Sequence, residues 1–300
     1  MLRVLLPLLL LCLVDIPVQA DERIPAYLVR LPQSVRTVFV AETATAAFHR
    51  FENPAGPEID HAGSVDMSYG ENGDGKQRNG DRKTPLGIYF VTEQLDTSRM
   101  HEKYGVTAFV LDYPNALDRR LQRTGDGIWV HGVDPRGGKR PTRDTDGCIA
   151  LPNETLEMIE DRFFPNATPV LVAREISWVE PGQLDELRGE LDAAIARWAN
   201  SLQRGDMHAF LSLYDADFRH WSMNKAEWTA LITETYGSRS IQKVTVSDVL
   251  LLGDPGEDGV YLSRFRLSIK ENSNTVELTK RLYWRRAGPG DLTVIVEDSG

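Results

Sequence analysis

The chain has 300 residues, of which 34 are basic and 44 are acidic, and its formal net charge is −10 at pH 7. This acidic balance argues against a nucleic-acid partner, because phosphate backbones are bound by faces rich in lysine and arginine. The length suits two modest domains better than one.

The first 20 residues predict a cleaved secretory signal peptide. A cationic start at Arg3 precedes an apolar run over residues 4–14, and Ala20 ends a sequence that signal peptidases accept. The run is shorter than the ~20 residues that span a bilayer, which disfavours a membrane anchor. A lipoprotein site at Cys12 is disfavoured by the bulky Leu11 before it. We therefore expect export to the periplasm without stable membrane insertion.

Residues 21–176 predict a mostly β domain with one short helix. Apolar stretches with period-two character predict strands, among them "AYLVRL", "RTVFVAE", "IYFVTEQL", "TAFVLDYP", "GIWVHGV" and "TPVLVARE". The glycine- and lysine-rich segment from Gly70 to Lys83 indicates a long, exposed loop. Helical spacing within "LPNETLEMIEDRFF" predicts the helix, with Asn153 as its N-cap.

Residues 185–300 have a different pattern, and a linker is expected at residues 177–184. Apolar positions from Leu184 to Leu202 predict a helix that breaks at Gly205, and helical character is expected to resume through "HAFLSLYDADF" and again in "NKAEWTALITETY". Three long strand candidates and a short one follow, separated by the turns "DPGEDG", "NSN" and "GPGD". Helices followed by an antiparallel meander predict an α+β cone.

Cys148 is expected to be the single cysteine of the exported protein, because Cys12 leaves with the signal peptide. Such a cysteine forms an intermolecular disulfide, stays buried and inert, or acts as a nucleophile. A nucleophilic thiol needs a nearby base, since its ordinary pKa near ~8.5 leaves little thiolate at neutral pH. His131 suits that role because it ends a predicted strand, in "IWVHGVD", and precedes Cys148 by 17 residues.

Three motifs in order, "KTPLGIY", "VHG" and "TDGCIALPN", resemble those of the L,D-transpeptidase catalytic domain family (YkuD-type) over about residues 35–174. Papain-like and NlpC/P60-like peptidases place the cysteine before the histidine, and sortases have far wider spacing and a downstream arginine. The segment "RWANSLQRGDMHAFLSLYDADF" resembles the NTF2-like/SnoaL-like family. The two resemblances imply a mostly-β catalytic domain, β-sandwich-like with a short helix, followed by an α+β NTF2-like cone domain.

The resemblance to L,D-transpeptidases implies a role for each residue of these motifs. Cys148 is expected to be the nucleophile and His131 the general base, with the Gly132 carbonyl holding the second imidazole nitrogen. The backbone N–H groups of Gly147 and Cys148 are expected to face the oxyanion. Gly147 is also expected to leave room for the substrate carbonyl.

Two positions depart from the family pattern. Thr145, followed by Asp146, stands where most members have a serine, and Ala150 stands where many have arginine or asparagine. Residues near the nucleophile are candidates for the missing substrate contacts: Arg136, Lys139, Arg140, Arg143, Thr145 and Asp146. The alternative interpretation is that these basic residues form a solvated run that balances the neighbouring aspartates. A weaker expectation of substrate contact extends to Lys76, Arg78, Arg82 and Lys83.

The resemblance implies a peptidoglycan-modifying cysteine L,D-transpeptidase that acts on the diamino acid–D-alanine bond of stem tetrapeptides. One alternative is an L,D-carboxypeptidase with a cell-shape role, because the motif variant and the NTF2-like domain are similar to that subgroup. A second alternative is a non-catalytic peptidoglycan-binding scaffold, for which Ala150 is the main support. No cofactor and no metal site are expected, since His131 has no second ligand at metal spacing.

The C-terminal domain offers two further expectations. It is a candidate surface for a homodimer or a protein partner. The polar residues His208, Asp215, Asp217 and His220 either line a pocket in the cone or are ordinary helix and turn residues, and the second interpretation is favoured.

Overall fold

The computed structural model describes residues 23–54, 59–138, 140–237, 239–272 and 274–299. The expected signal peptide at residues 1–20 and the candidate Lys139 lie outside the described residues. Of the helices in the described ranges, none combines the length and the apolar character needed to cross a membrane.

The N-terminal region is a mostly β domain, as predicted. Its strands are β1 (Ile24–Pro25), β2 (Thr37–Glu42), β3 (Ala47–Glu52), β4 (Asp60–Asp66), β5 (Tyr69–Gly70), β6 (Gly87–Leu95), β7 (Ala108–Leu111), β8 (Trp129–His131), β9 (Arg143–Thr145), β10 (Ile149–Ala150) and β11 (Pro169–Ala173). Its helices are α1 (Ala116–Arg120) and α2 (Asn153–Ile159). Eight strands form one sheet in the order β10-β8-β7-β6-β11-β2-β3-β4, and β5 pairs with β9 beside it.

Three details of this domain differ from the prediction. The stretch "AYLVRL" is not a strand, because residues 26–31 form a turn and an isolated bridge from Arg30 to Leu251 of the C-terminal sheet. Helix α1 was not predicted, although Asn115 and Asp118 form a capping box at its start, a pattern that is visible in the sequence. Helix α2 was predicted with Asn153 as its N-cap, but Pro152 occupies that position and Asn153 is the first helical residue. The Asn153 side chain has other partners, described below with the site.

The eight-stranded sheet belongs to the domain that resembles a catalytic domain and is called the catalytic sheet below. Its central strands are buried on both faces. Phe39 and Tyr89 belong to a core that includes Leu156 and Ile159 of α2. The alternate residues on the same strands, such as Val38, belong to a different core. Because side chains alternate across a strand, one face of the sheet packs on α2 and the other packs on the C-terminal domain.

The C-terminal region has helices on one face of an antiparallel sheet. Its elements are β12 (Trp178–Val179), α3 (Asp185–Arg204), α4 (Met207–Ser212), β13 (Tyr214–His220), β14 (Met223–Asn224), α5 (Lys225–Tyr236), β15 (Lys243–Gly253), β16 (Val260–Glu271), β17 (Asn274–Gly288) and β18 (Asp291–Ser299). The sheet order is β14-β13-β18-β17-β16-β15. Helix α3 ends at Gly205 in a left-handed conformation, as the predicted break required.

The predicted helix through "LYDADF" is wrong, because α4 ends at Ser212 and residues 214–220 form β13. This strand pairs in parallel with β18. Its first residue, Tyr214, is buried, donates a hydrogen bond to Glu297 at 2.6 Å and accepts one from Trp198 at 2.9 Å. These partners are distant in sequence, so tertiary contacts override the local helical pattern.

The two domains share a continuous apolar core. Residues Leu250 and Leu252 of β15 pack in the same cluster as Val40 and Phe90 of the catalytic sheet. The alternate residue Leu251 faces the helices α3 to α5, in a second cluster with Trp198. The C-terminal sheet therefore lies between its own helices and the catalytic sheet.

The segment expected as a linker, residues 177–184, has regular structure in this interface. Strand β12 pairs antiparallel with β1, and residues 181–184 form a 3₁₀ turn that leads into α3. The N-terminal segment also bonds to the C-terminal domain, because Arg30 exchanges two backbone hydrogen bonds with Leu251. The polypeptide between the domains is thus held on both sides.

Charged side chains also cross the interface. Asp112, which follows β7, accepts a hydrogen bond at 2.8 Å from Arg281 of β17. The Asp112 carboxylate also accepts the backbone N–H of Phe90, and the Arg281 guanidinium lies 4.2 Å from the Phe90 ring centroid. Burial raises the pKa of Asp112, and the nearby Arg281 acts in the opposite direction. A buried pair of this kind tolerates the loss of neither partner.

Candidate active site

His131 ends β8 near the edge of the catalytic sheet. Its strand lies between β7, where Ala108 is its partner, and β10, where Ala150 is its partner. The His131 Nδ1 atom lies 2.6 Å from the Gly132 carbonyl oxygen. Since a carbonyl can only accept, Nδ1 carries the proton and Nε2 keeps its lone pair. The imidazole is thereby oriented as a base.

Burial is the main influence on His131. The side chain is 3% exposed, and the ring of Tyr104 packs against it edge-on at 5.3 Å between centroids. Burial lowers the pKa of His131 to about 4, although the hydrogen bond to Gly132 opposes this shift. Arg140 and Lys103 lower the pKa further through their positive charges. The imidazole is therefore neutral at physiological pH.

Cys148 lies immediately before β10 and is half-buried. Its Sγ atom donates a hydrogen bond to the Gly127 carbonyl oxygen at 3.3 Å. Burial raises the pKa of the Cys148 thiol, and a backbone hydrogen bond from Trp129 acts against that rise. Among the described residues, no hydrogen bond joins Sγ to His131. The resting pair is thus a neutral thiol and a neutral imidazole.

The strand register brings Cys148 and His131 to the same face of the sheet. Ile149 pairs with Val130, and both belong to the core around α2. The alternate residues Cys148 and Ala150 on one strand, and His131 on the other, point to the opposite face. Diagonal neighbours on adjacent strands lie within reach of each other's side chains.

The turn that presents Cys148 is held by Thr145. The Thr145 hydroxyl accepts a hydrogen bond from the Gly147 N–H at 3.1 Å and donates one to the Cys148 carbonyl at 2.7 Å. Thr145 is buried, so its hydroxyl serves the turn. The structure therefore gives this candidate substrate contact an internal role.

The expectation that the Gly147 N–H faces the oxyanion is corrected by the same contact, because this donor is already paired with Thr145. The requirement for glycine also has a different cause from the one expected. The backbone has φ of +127°, and a Cβ atom would lie 2.6 Å from the Lys83 carbonyl oxygen. Within the described part of the chain, no oxygen accepts a hydrogen bond from the Cys148 N–H. That group remains available for an oxyanion.

The Thr-Pro-Leu-Gly motif organises the loop before it. The Thr84 hydroxyl accepts a hydrogen bond from the Gly70 N–H at 2.8 Å. The Thr84 N–H donates to the Gly73 carbonyl, and the Thr84 carbonyl accepts from the Lys76 N–H. The loop is exposed over residues 71–72, 77–80 and 82, as its composition predicted, but it is anchored by a buried lysine. Lys76 is 3% exposed and bonds to Asp81 at 2.8 Å.

Asp81 holds this loop through several donors. Burial would raise its pKa, but backbone N–H groups and the Lys76 ammonium lower it to about 2. Because the loop ends at Lys83, whose carbonyl abuts Gly147, it forms one wall of the nucleophile turn. Lys76 is therefore a structural residue and not a substrate contact.

Asn153 is a site residue that sequence reasoning assigned to the wrong role. Its side-chain amide accepts from the Val133 N–H at 2.9 Å and donates to the Val133 carbonyl at 2.8 Å. A Cβ atom on Gly132 would lie 2.2 Å from Asn153 Oδ1, and one on Gly105 would lie 2.3 Å from it. Asn153 therefore locks the backbone that follows His131 and requires glycine at both neighbours. The position of Asn153 shortly after the Gly-Cys motif was the sequence feature that could have indicated a role in the site.

The basic residues proposed for substrate contact are largely paired with local acids. Arg136 is exposed and contacts Glu102 and Asp134. Arg140 donates to the Asp144 carboxylate at 2.8 Å.

The other two candidates near the turn have partners from different segments. Arg143 donates to the Tyr69 hydroxyl at 3.2 Å. Asp146 is exposed and lies 3.4 Å from Arg82, which also pairs with Glu71. These contacts favour the interpretation of a charge-balanced surface. Arg140 also lines the two cavities described next.

A cavity of about 410 Å³ adjoins β10, the strand that follows Cys148. Its lining includes Ala150, Asn153 and Arg140, but neither Cys148 nor His131. A second cavity of about 310 Å³ lies along the same loop and shares Val133 and Arg140 with the first. Ala150 thus borders open volume at the position where the family resemblance implies a larger polar side chain.

Two of the four polar residues considered in the C-terminal cone, His220 and Asp215, have internal partners. His220 Nδ1 lies 2.9 Å from the Glu297 carbonyl oxygen, and its ring packs on Trp228 at 4.5 Å. Asp215 pairs with Arg285 at 3.2 Å. The interpretation of these residues as ordinary structural groups is the one that the contacts favour.

An oriented imidazole on the sheet face that also carries a cysteine is an arrangement typical of enzymes that form a thioester. Residues 56–172 match the L,D-transpeptidase catalytic domain (YkuD) family, and residues 190–298 match the Cds6 C-terminal NTF2-like domain family. The chain therefore combines an L,D-transpeptidase catalytic domain with an NTF2-like domain, and the expected fold class is confirmed.

Two solved structures share the fold of both domains. Bd1075 of Bdellovibrio bacteriovorus superposes with a TM-score of 0.77 at 23% identity, covering 93% of this chain and 98% of its own. Pgp2 of Campylobacter jejuni, described as a helical cell shape determining protein, superposes with a TM-score of 0.75 at 22% identity, covering 93% and 95%. No curated protein sequence matches the chain.

Proposed function

We propose that this protein is a peptidoglycan-modifying L,D-transpeptidase that cleaves the diamino acid–D-alanine bond of stem tetrapeptides through a Cys148 thioester. The observation that carries the proposal is the orientation of His131 by the Gly132 carbonyl, on the sheet face that also presents Cys148. The match of residues 56–172 to the L,D-transpeptidase family supports this substrate class.

The first half-reaction begins from the neutral pair. Cys148 turns from the Gly127 carbonyl, and its proton passes to His131 Nε2 as sulfur attacks the carbonyl carbon of the diamino acid residue. The oxyanion accepts a hydrogen bond from the Cys148 N–H, which has no acceptor among the described residues. Collapse of the intermediate breaks the C–N bond. His131 returns the proton to the departing amine, so D-alanine leaves and a thioester remains.

The second half-reaction consumes the thioester. An amine from a neighbouring stem peptide attacks the thioester carbonyl and loses its proton to His131. The Cys148 sulfur is expelled and takes that proton from His131, which produces a 3→3 cross-link and restores the neutral pair. The cavity beside Ala150 has room for such an acceptor, at about 410 Å³. These steps use only groups of this chain and of the two peptides.

An L,D-carboxypeptidase activity is the second candidate. In that case water attacks the thioester and releases a trimmed tripeptide. The likeness in fold across both domains to a helical cell shape determining protein favours this candidate and a role in cell shape. Either activity places the protein at the cell wall, in agreement with the expected export to the periplasm.

The decisive experiment is incubation of the purified protein with tetrapeptide muropeptides. We expect release of D-alanine by the wild type and none by C148A, with the thioester detected by intact mass. Cross-linked dimers among the products identify a transpeptidase, and tripeptides alone identify a carboxypeptidase. Equal release by the wild type and C148A would reject the proposal. Tight muropeptide binding without release would support the non-catalytic scaffold.

A further inference from the structure

The C-terminal domain contacts the loops around the nucleophile through one hairpin. The turn between β15 and β16, residues 254–259, is here called the brace hairpin. The backbone at Gly256 abuts the Thr-Pro-Leu-Gly motif so closely that a Cβ atom would lie 2.8 Å from the Leu86 carbonyl oxygen. The hairpin is stiffened by the Asp254 carboxylate, which accepts the Gly256 N–H at 2.8 Å.

Glu257 of the brace hairpin pairs with Arg123 of the catalytic domain, 134 residues away in sequence. Arg123 also donates to the buried carboxylate of Asp118 at 3.1 Å. The guanidinium group therefore bridges a carboxylate from each domain. Only an arginine has the planar fork of donors that this bridge uses.

Arg123 belongs to residues 121–127, here called the thiol loop, because its last residue supplies the carbonyl that accepts from Cys148 Sγ. Thr124, in the middle of the loop, bonds to the backbone of Gln77 and Asn79. The Arg123 backbone N–H donates to the Asp118 carbonyl at 2.9 Å. Within the described residues, Glu257 is the contact that ties this loop to the C-terminal domain by an ion pair.

We propose that Glu257 is a positioning residue for the nucleophile, acting through Arg123 to hold the thiol loop and its Gly127 carbonyl against Cys148. A carbonyl that accepts from S–H stabilises the neutral thiol over the thiolate. The NTF2-like domain thereby sets the resting state of the cysteine in the other domain. This inference concerns the geometry of the thiol and does not depend on peptidoglycan being the substrate.

The test is the pH dependence of Cys148 alkylation by iodoacetamide in the full-length protein. Glu257→Gln removes the ion pair while keeping the side-chain shape. With the loop loosened, the carbonyl no longer favours the thiol. The apparent pKa should therefore fall by about half a unit and alkylation at pH 7 should rise about threefold. The charged groups that act on Cys148 are Lys103, Arg140 and Asp146, and all are unchanged in this variant.

The matched control is Asp192→Asn. Asp192 also lies in the C-terminal domain and pairs with Arg30 of the N-terminal segment at 2.6 Å, without contacting the thiol loop. Its alkylation profile should match that of the wild type. Equal shifts in both variants would show general loosening of the interface and overturn the proposal, as would an unchanged profile in E257Q.

A second variant covers the case in which E257Q does not fold. Arg123→Lys keeps a positive charge beside Asp118 but cannot bond to two carboxylates in one plane. It should shift the alkylation profile in the same direction as E257Q, and a profile identical to the wild type would reject the role of the bridge. Failure of D-alanine release in the wild type would leave this result intact, so the two proposals fail separately.

Discussion

The edge and the centre of the catalytic sheet obtain their polar contacts from different distances along the chain. At the edge, His131 bonds to the adjacent Gly132, and Cys148 bonds to Gly127, 21 residues away. At the centre, Asp112 bonds to Arg281, 169 residues away, across the domain interface. The comparison shows that the immediate partners of His131 and Cys148 are backbone carbonyls of their own domain, whereas the strands beneath them are also held by the second domain.

The largest effect is expected from a substitution at the edge of the sheet, at His131. His131→Gln should lower the rate of D-alanine release about a thousandfold, because the variant lacks the imidazole proposed to take the thiol proton. In the wild type, the pKa of about 4 keeps the imidazole neutral, so kcat/KM should not fall until below about pH 5. A pH–rate profile measures this. An acidic limb near pH 6.5 would contradict the assigned state of His131.

The next largest effect is expected from breaking the Asp112–Arg281 pair across the domain interface. Arg281→Met leaves the Asp112 carboxylate buried without its partner, which should lower the free energy of unfolding by about 3–5 kcal/mol. Urea unfolding at pH 7 measures the change. Adding Asp112→Asn should restore part of the loss, because the orphaned charge is removed. The exposed Arg266 on the neighbouring strand is the control, and R266M should change stability by less than ~0.5 kcal/mol.

Asp254 sharpens the comparison through pH. Burial raises its pKa to about 7, so the folded state keeps the carboxyl neutral where the unfolded state ionises it. The resulting stability is fully present below about pH 4 and is lost as pH rises through 7. Asp254→Asn should therefore match the wild type at pH 4 and exceed its unfolding free energy by about 4 kcal/mol at pH 8. Identical stability curves would contradict the shift.

The smallest expected effect concerns the backbone beside the base. Asn153→Ala removes both hydrogen bonds to Val133 and frees the segment that orients His131, so D-alanine release should fall about tenfold. Glu157→Ala, at an exposed position of the same helix outside the cavity, serves as the control and should retain activity. A loss in E157A equal to that in N153A would indicate damage to α2 and not to the base.

The local patterns were sufficient where contacts are short. Most strands predicted for the N-terminal domain, the C-terminal meander and the break at Gly205 follow from apolar periodicity and turn residues, and the structure confirms them. The predicted strand "AYLVRL" is wrong, because these residues form a turn and an isolated bridge. The His-Gly and Gly-Cys motifs predicted a histidine base near the cysteine, and the strand register places both residues on one sheet face. Helix α1 had a readable capping box that the prediction missed.

The sequence by itself identified His131 and Cys148 as the candidates for the chemistry, because the order and spacing of the histidine and cysteine motifs depend on local backbone geometry. Only the tertiary structure decided how those residues are supported. Residues predicted as a helix form β13, and Lys76 is buried within an expected surface loop. The Asn153 side chain bonds to the backbone that follows His131 and does not cap a helix. The tertiary structure also joins Glu257 to Arg123. Each of these outcomes depends on partners far along the chain, whose proximity no local pattern records.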